Sequence, residues 1–365
     1  MKKILLIVII WFVIVTLFGL LVLHRFNLQP DEAYGWMKNI DYLQPQSWNP
    51  IDMQIRWDSN WYLDIAKNGY QYRIGELSNI VFFPLYPLLI KIIGTVVNGQ
   101  FGFAGWLINI VSLCGATAFL YRLMREQHTD IDSTQTVMMM LIFPTAFFFS
   151  IIYTESLFLF FSIATFFYAL RRQFLFASLF GLAAALTRVT GILLIFPLLI
   201  EIVQIHRQDH TWRPTYLSVL LIPGAVAAFF LFHLARFGDF LLFFKVESSW
   251  GRFFAFNPDH FQIFSSASIT NLILDIVIVS TVFILSILVI KRLRLSYGIY
   301  MLVTVAAAAG TGTLMSIGRY VLVLFPMFIL LAKYKNTLFL RGWTFVSALL
   351  FALYTTLLVN WYWAG

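Results

Sequence analysis

The sequence predicts an all-α integral-membrane protein: a multi-span helical bundle of about eleven spans, with a large first extracytoplasmic loop carrying juxtamembrane helices. Three observations predict it. Of the 365 residues, 60% are hydrophobic and only 12% charged, more apolar side chains than a soluble core of this length buries. The apolar residues come in runs of about 17 to 25, long enough to cross a hydrocarbon core of roughly 30 Å. Most of the basic residues sit between those runs in the pattern of the positive-inside rule.

The first element is "MKKILLIVIIWFVIVTLFGLLVLHRF", two lysines followed by an apolar run too long for a cleaved signal and lacking a small-x-small cleavage site. It reads as a retained span over 4–24. Further spans are expected at 101–121, 135–152, 156–170, 174–188, 189–205, 215–236, 269–290, 297–315, 319–333 and 341–362. The run 80–97 is different, because Pro84, Pro87 and Lys91 interrupt it.

Charge decides whether 80–97 crosses. If it does not, Lys2, Lys3, Arg122, Arg125, Arg171, Arg172, Arg207, Arg213, Lys291, Arg292, Arg294, Lys333, Lys335 and Arg341 share one side. That side then holds 14 of the 25 basic residues and five acidic ones, against 11 basic and 12 acidic on the other. If it crosses, every later basic cluster flips outward while the N-terminal lysines stay inside. The segment is therefore expected to be an interfacial or re-entrant helix on the outer side, with a cytoplasmic N-terminus and an outer C-terminus. No internal repeat or low-complexity linker divides the chain, so residues 1–365 read as a single integral-membrane domain.

The net charge of +8 is scattered between apolar runs and forms no basic stripe, so membrane lipids and no nucleic acid are the expected surroundings. The single cysteine, Cys114, excludes an intrachain disulfide. P-loop, Rossmann, HExxH and GxSxG patterns are missing, which removes support for nucleotide hydrolysis and zinc proteolysis. His206 and His210 lack a third ligand and fall on the inner side, where a solvated loop explains them.

With this topology the unusual polar segments all reach the outer face: 25–79, "YTES" at 153–156, "TRVTG" at 187–191, 237–268 and "SIGRY" at 316–320. Rigid spans that bring separated loops together are how a helical bundle builds a site. The carboxylates there include Asp31, Glu32, Asp52, Asp58, Asp64 and Glu155, and the cations Arg56, Lys67, Arg188, Lys245, Arg252 and Arg319. Asp58 stands between Trp57 and Trp61, aromatics that suit sugar stacking or a headgroup belt. The same aspartate also suits the N-cap of "SNWYLDIAKNGY", and both readings stay open. Arg188 and Arg319 suit a phosphate or pyrophosphate headgroup, against snorkelling or a pair with Glu155.

"RWDSNWYLDIAKNGY" (56–70), "FFPLYPLLIK" (82–91), "FFFSIIYTESLF" (147–158), "ALTRVTGIL" (185–193) and "SIGRYVLVLFPMF" (316–328) together resemble, in order, motifs of the PIG-V type mannosyltransferases. These are polytopic enzymes of the GT-C fold class, and the resemblance spans about 50–330. It implies transfer of a sugar, typically mannose, from a polyprenyl- or dolichyl-phosphate donor to a glycolipid or glycan acceptor on the extracytoplasmic face. The fold class puts a catalytic carboxylate in the first large outer loop.

On that reading Asp58 is the expected base of an inverting transfer, with Asp31 or Glu32 of "PDEAYG" as the alternatives. Arg188 and Arg319 would hold the phosphate, and Trp57, Trp61 and Trp250 would contact sugar. Arg56, Glu155, Arg252 and Tyr320 complete the expected substrate-binding set. The resemblance implies no certain cofactor and leaves a divalent metal open, with Asp58 and Glu155 a metal pair only if the fold joins them. The competing class is a transporter or flippase of lipid-linked saccharides without chemistry, which would line a pathway with polar residues across membrane depth. An assembly partner of another enzyme is a third reading, and it would tolerate loss of Asp58.

Overall fold

In the computed structural model residues 1–26, 48–72, 74, 77–252 and 269–363 are described, and among them every regular element is helical. Helix α1 (Lys2–Arg25) shows why the class was legible. Its buried face carries Ile4, Val8, Trp11, Phe12 and Val15, while the opposite face exposes Leu6, Ile10, Leu17 and Leu21. A helix that is apolar all round belongs in lipid.

The first loop contains short helices α2 (Pro50–Met53), α3 (Ser59–Asn68) and α4 (Leu85–Val96). Asn49 caps α2 by accepting the Ile51 amide at 3.0 Å. Helix α4 occupies most of the run 80–97. Its 12 residues extend only about 18 Å, against a core of roughly 30 Å. Tyr86 and Ile90 are buried against the protein, and the Tyr86 hydroxyl donates to Asn109 at 3.0 Å. Leu88, Ile92 and Val96 form an exposed apolar stripe on the other face.

The bundle proper follows as α5 (Phe101–Gln127), α6 (Ser133–Leu141), α7 (Glu155–Leu170), α8 (Phe174–Thr187), α9 (Ile195–Asp209) and α10 (Leu221–Phe237). After α11 (Leu242–Ser249) come α12 (Ile269–Arg292), α13 (Leu295–Ala309), α14 (Ile317–Leu322), α15 (Phe325–Lys333) and α16 (Thr337–Val359). Among the described residues six helical stretches are long and apolar enough to cross a membrane, and four shorter apolar helices accompany them. The protein is a multi-pass integral-membrane helical bundle. Helix α7 lies at its centre, packed on α5 and α8, which is why its 16 residues include so many fully buried ones.

Two expected spans are interrupted. The run 135–152 is helical only to Leu141, passes Pro144 and continues as a 3-10 turn over Ala146–Phe149. The run 319–333 breaks between α14 and α15, where Pro326 enters the first turn of α15. Proline removes a backbone donor and crowds the preceding turn, so a continuous helix is not available there. The first break meets the start of α14, with the Thr145 hydroxyl donating to the Gly318 carbonyl at 3.0 Å. Irregular backbone at membrane depth is tolerated where protein surrounds it, and these breaks abut the polar cluster described next.

Candidate active site

The cluster starts at the turn between α2 and α3. Trp57 adopts φ +50°, a left-handed conformation that costs a bulky residue about 1–3 kcal/mol. Its buried indole is held edge-on to Trp363, with centroids 5.2 Å apart. This kink sends its neighbours in opposite directions.

Arg56 turns into the protein. Its Nε donates to the Val359 carbonyl at 3.0 Å, and Nη1 donates to the Asp52 and Ile55 carbonyls, each at 2.8 Å. Arg56, expected on sequence in the substrate-binding set, thereby ties the loop to the end of α16 and does not line the cleft described below. Asp58 turns the other way. It stands at the N-cap position of α3 yet makes no side-chain capping bond, so that reading of the residue fails. Instead Oδ2 accepts from Arg319 Nη1 at 2.7 Å, and the Asp58 amide donates to the Tyr153 hydroxyl at 3.0 Å.

Behind Asp58 lies Glu155, the first residue of α7 and fully buried. Its Oε1 accepts from Arg319 Nε at 2.8 Å and from Arg188 Nη1 at 2.7 Å. A helix N-terminus favours a carboxylate, and one such group here fixes arginines from two separate elements. The Arg319 guanidinium carbon also lies 4.4 Å from the Tyr153 ring centroid. Asp58 and Glu155, weighed on sequence as a metal pair, are bridged by Arg319, whose charge occupies the place between them. Among the described residues no group of three or more metal-ligating side chains forms.

Arg188 is positioned by the 3-10 turn Val189–Leu194 that follows α8. There the Gly191 amide donates to the Arg188 carbonyl at 2.9 Å. A Cβ on Gly191 would lie 2.4 Å from the Ala185 nitrogen and 2.5 Å from the Ala184 carbonyl, backbone atoms that cannot swing aside. Gly191→Ala is expected to lower stability by about 1–3 kcal/mol or more, measured as a fall in the thermal midpoint of the purified protein.

A cleft of about 150 Å³ opens in front of this network. Arg252 reaches it from beyond α11, and its Nη1 donates to the Tyr320 hydroxyl. The Tyr320 ring lies 4.9 Å from the Arg188 guanidinium carbon and 5.7 Å from that of Arg252. Three arginines thus meet three carboxyls: Asp58, Glu155 and Glu247. Burial pushes the Glu247 carboxyl above its usual range, and the Asp58 charge adds to this while Arg252 opposes it.

Asp58, Trp57, Arg188, Trp250, Arg252, Arg319 and Tyr320, all expected on sequence, line the cleft. Glu155 sits behind it as the anion that joins two arginines. Trp61 does not line it but supports Trp250 edge-on at 5.5 Å. Asp31 and Glu32 lie outside the described residues. Sequence reasoning missed Glu247, although "KVESSWGR" places a carboxylate, an indole and a guanidinium within six positions. It also missed Ser316, whose φ of +72° makes it the second strained residue of the cleft after Trp57.

A family model described as "Mannosyltransferase (PIG-V)" matches residues 2–234. The matched stretch includes Asp58, Glu155 and Arg188 and ends before Glu247, Arg252 and Arg319. No curated protein matches the chain.

Proposed function

The chain belongs to the PIG-V mannosyltransferase family and is a membrane glycosyltransferase, and from that premise we propose that it moves mannose from a polyprenyl-phosphate donor to a glycolipid or glycan acceptor, with inversion, on the extracytoplasmic face. One observation carries the reading. The Arg319 guanidinium is shared between Asp58 at the cleft and the buried Glu155, which also holds Arg188. A base and two phosphate-binding cations are thereby locked into one rigid unit.

The chemistry is a single displacement. The acceptor hydroxyl oxygen attacks the anomeric carbon as the bond from that carbon to the phosphate oxygen breaks. The electron pair leaves with the phosphate, whose growing charge is met by Arg188 and Arg319. The hydroxyl proton passes to Asp58, whose Oδ1 makes no hydrogen bond to any described residue. Arg188, Arg252 and Arg319 all line the cleft, and guanidiniums suit the single negative charge of a phosphodiester. The distribution of basic residues supports the outer face, since the positive-inside reading of the sequence expects the polar loops opposite the basic ones.

The test is transfer from radiolabelled polyprenyl-phosphate mannose to lipid and glycan fractions by the purified protein in membrane extract. Label should enter the acceptor fraction from this donor, and transfer only from a nucleotide sugar would overturn the donor class. Arg188→Ala is expected to lower kcat/KM for the lipid-linked donor about ten- to a hundredfold, the scale of one charge-assisted hydrogen bond. An unchanged kcat/KM would remove Arg188 from the phosphate site.

A further inference from the structure

Helix α11 brings to the cleft polar groups whose hydrogen bonds are unmade. Glu247 is only 9% exposed and lines the cleft, yet its carboxyl has no hydrogen bond or ion pair with any described residue. Trp250, nearly one turn further on, also lines the cleft, and its buried indole Nε1 has no partner among the described residues. The Trp250 ring is itself fixed, edge-on to Trp61 at 5.5 Å and to Phe82 at 5.9 Å. A buried carboxyl without a partner is costly, so it stands where a ligand completes it.

The chemistry of the two walls selects the ligand. Arg188 and Arg319 are the cations on the wall built by α8 and α14, and a phosphate belongs with them. A carboxyl is the wrong group for phosphate, since ionised it repels and neutral it offers one donor against three guanidiniums. Hydroxyls satisfy everything this helix presents: they donate to the Glu247 carboxyl, accept from the Trp250 N–H, and belong to a ring whose C–H face packs on an indole. Resting on the function proposed above, we infer that Glu247, together with Trp250, binds hydroxyls of the transferred hexose and sets which hexose is accepted.

The experiment measures kcat/KM for wild type, Glu247→Ala and Glu247→Gln with polyprenyl-phosphate mannose and its 2-, 3-, 4- and 6-deoxy analogues. The wild type is expected to lose about ten- to a hundredfold on one analogue. Glu247→Ala should lose a similar factor with mannose itself and nothing further with that same analogue, while its penalties at the other positions match wild type. Glu247→Gln retains the shape of the side chain and keeps the question open to measurement should the alanine variant fail to fold. It is expected to change the penalty at that one position alone. Identical deoxy penalties in wild type and folded variants would overturn the inference and leave the proposed function standing. No transfer by wild type from any of these donors would overturn the proposed function and this inference with it.

Discussion

Asp58→Asn is expected to lower mannose transfer about a hundred- to ten-thousandfold, the range that general-base catalysis supplies, while donor binding survives. The substitution keeps the size of the side chain and its amide contact to Tyr153, and it removes only the carboxylate charge and basicity. Arg319 keeps Glu155, so its guanidinium is not orphaned and the fold should persist. This separates Asp58 from its neighbours, whose loss disturbs folding and chemistry together. The measurement is kcat and donor affinity for both proteins, with matched elution and thermal midpoints. A fall in kcat with unchanged donor affinity fits a group that acts on the acceptor proton. Equal transfer by both proteins would move the base to Asp31 or Glu32.

The length of apolar runs was enough to read the class, because lipid demands it whatever the packing. The interrupted spans were harder. In "LIFPTAFFFSII" and "RYVLVLFPMF" the side chains are as apolar as in any span, so composition conceals a backbone that is not continuously helical. Local geometry decided the site. Arg56 and Asp58 are two residues apart and equally plausible on sequence, yet the φ of Trp57 sends one to the carbonyls at the end of α16 and the other to the cleft. Asp58, Glu155, Arg188 and Arg319 were named from the convergence of their loops, but that one glutamate holds both arginines is a tertiary fact. Glu247 escaped because it stands in the polar segment 237–268 without a motif of its own, and its lack of a partner among the described residues is a property of the folded chain.

Glu155→Ala is expected to cost about 3–5 kcal/mol of stability, the largest effect of any change considered for this protein. The argument is electrostatic. Glu155 is wholly buried, and its Oε1 takes two charge-assisted bonds from side chains that are only 11% and 7% exposed, those of Arg188 and Arg319. Among the described residues, removing it leaves Arg188 with no carboxylate and Arg319 with Asp58 alone. Thermal unfolding of the purified protein should show a sharp fall in midpoint or loss of a monodisperse peak. Glu155→Gln should fall between, since an amide oxygen still accepts but carries no charge. A second change separates stability from chemistry. In Glu155→Gln combined with Arg188→Leu the unpaired cation is gone, so stability should partly recover. Transfer should not recover, because the phosphate has lost a cation and Arg319 now answers to Asp58 alone, which makes that carboxylate a weaker base. Recovery of transfer along with stability would mean that Glu155 and Arg188 hold the bundle together without serving the reaction.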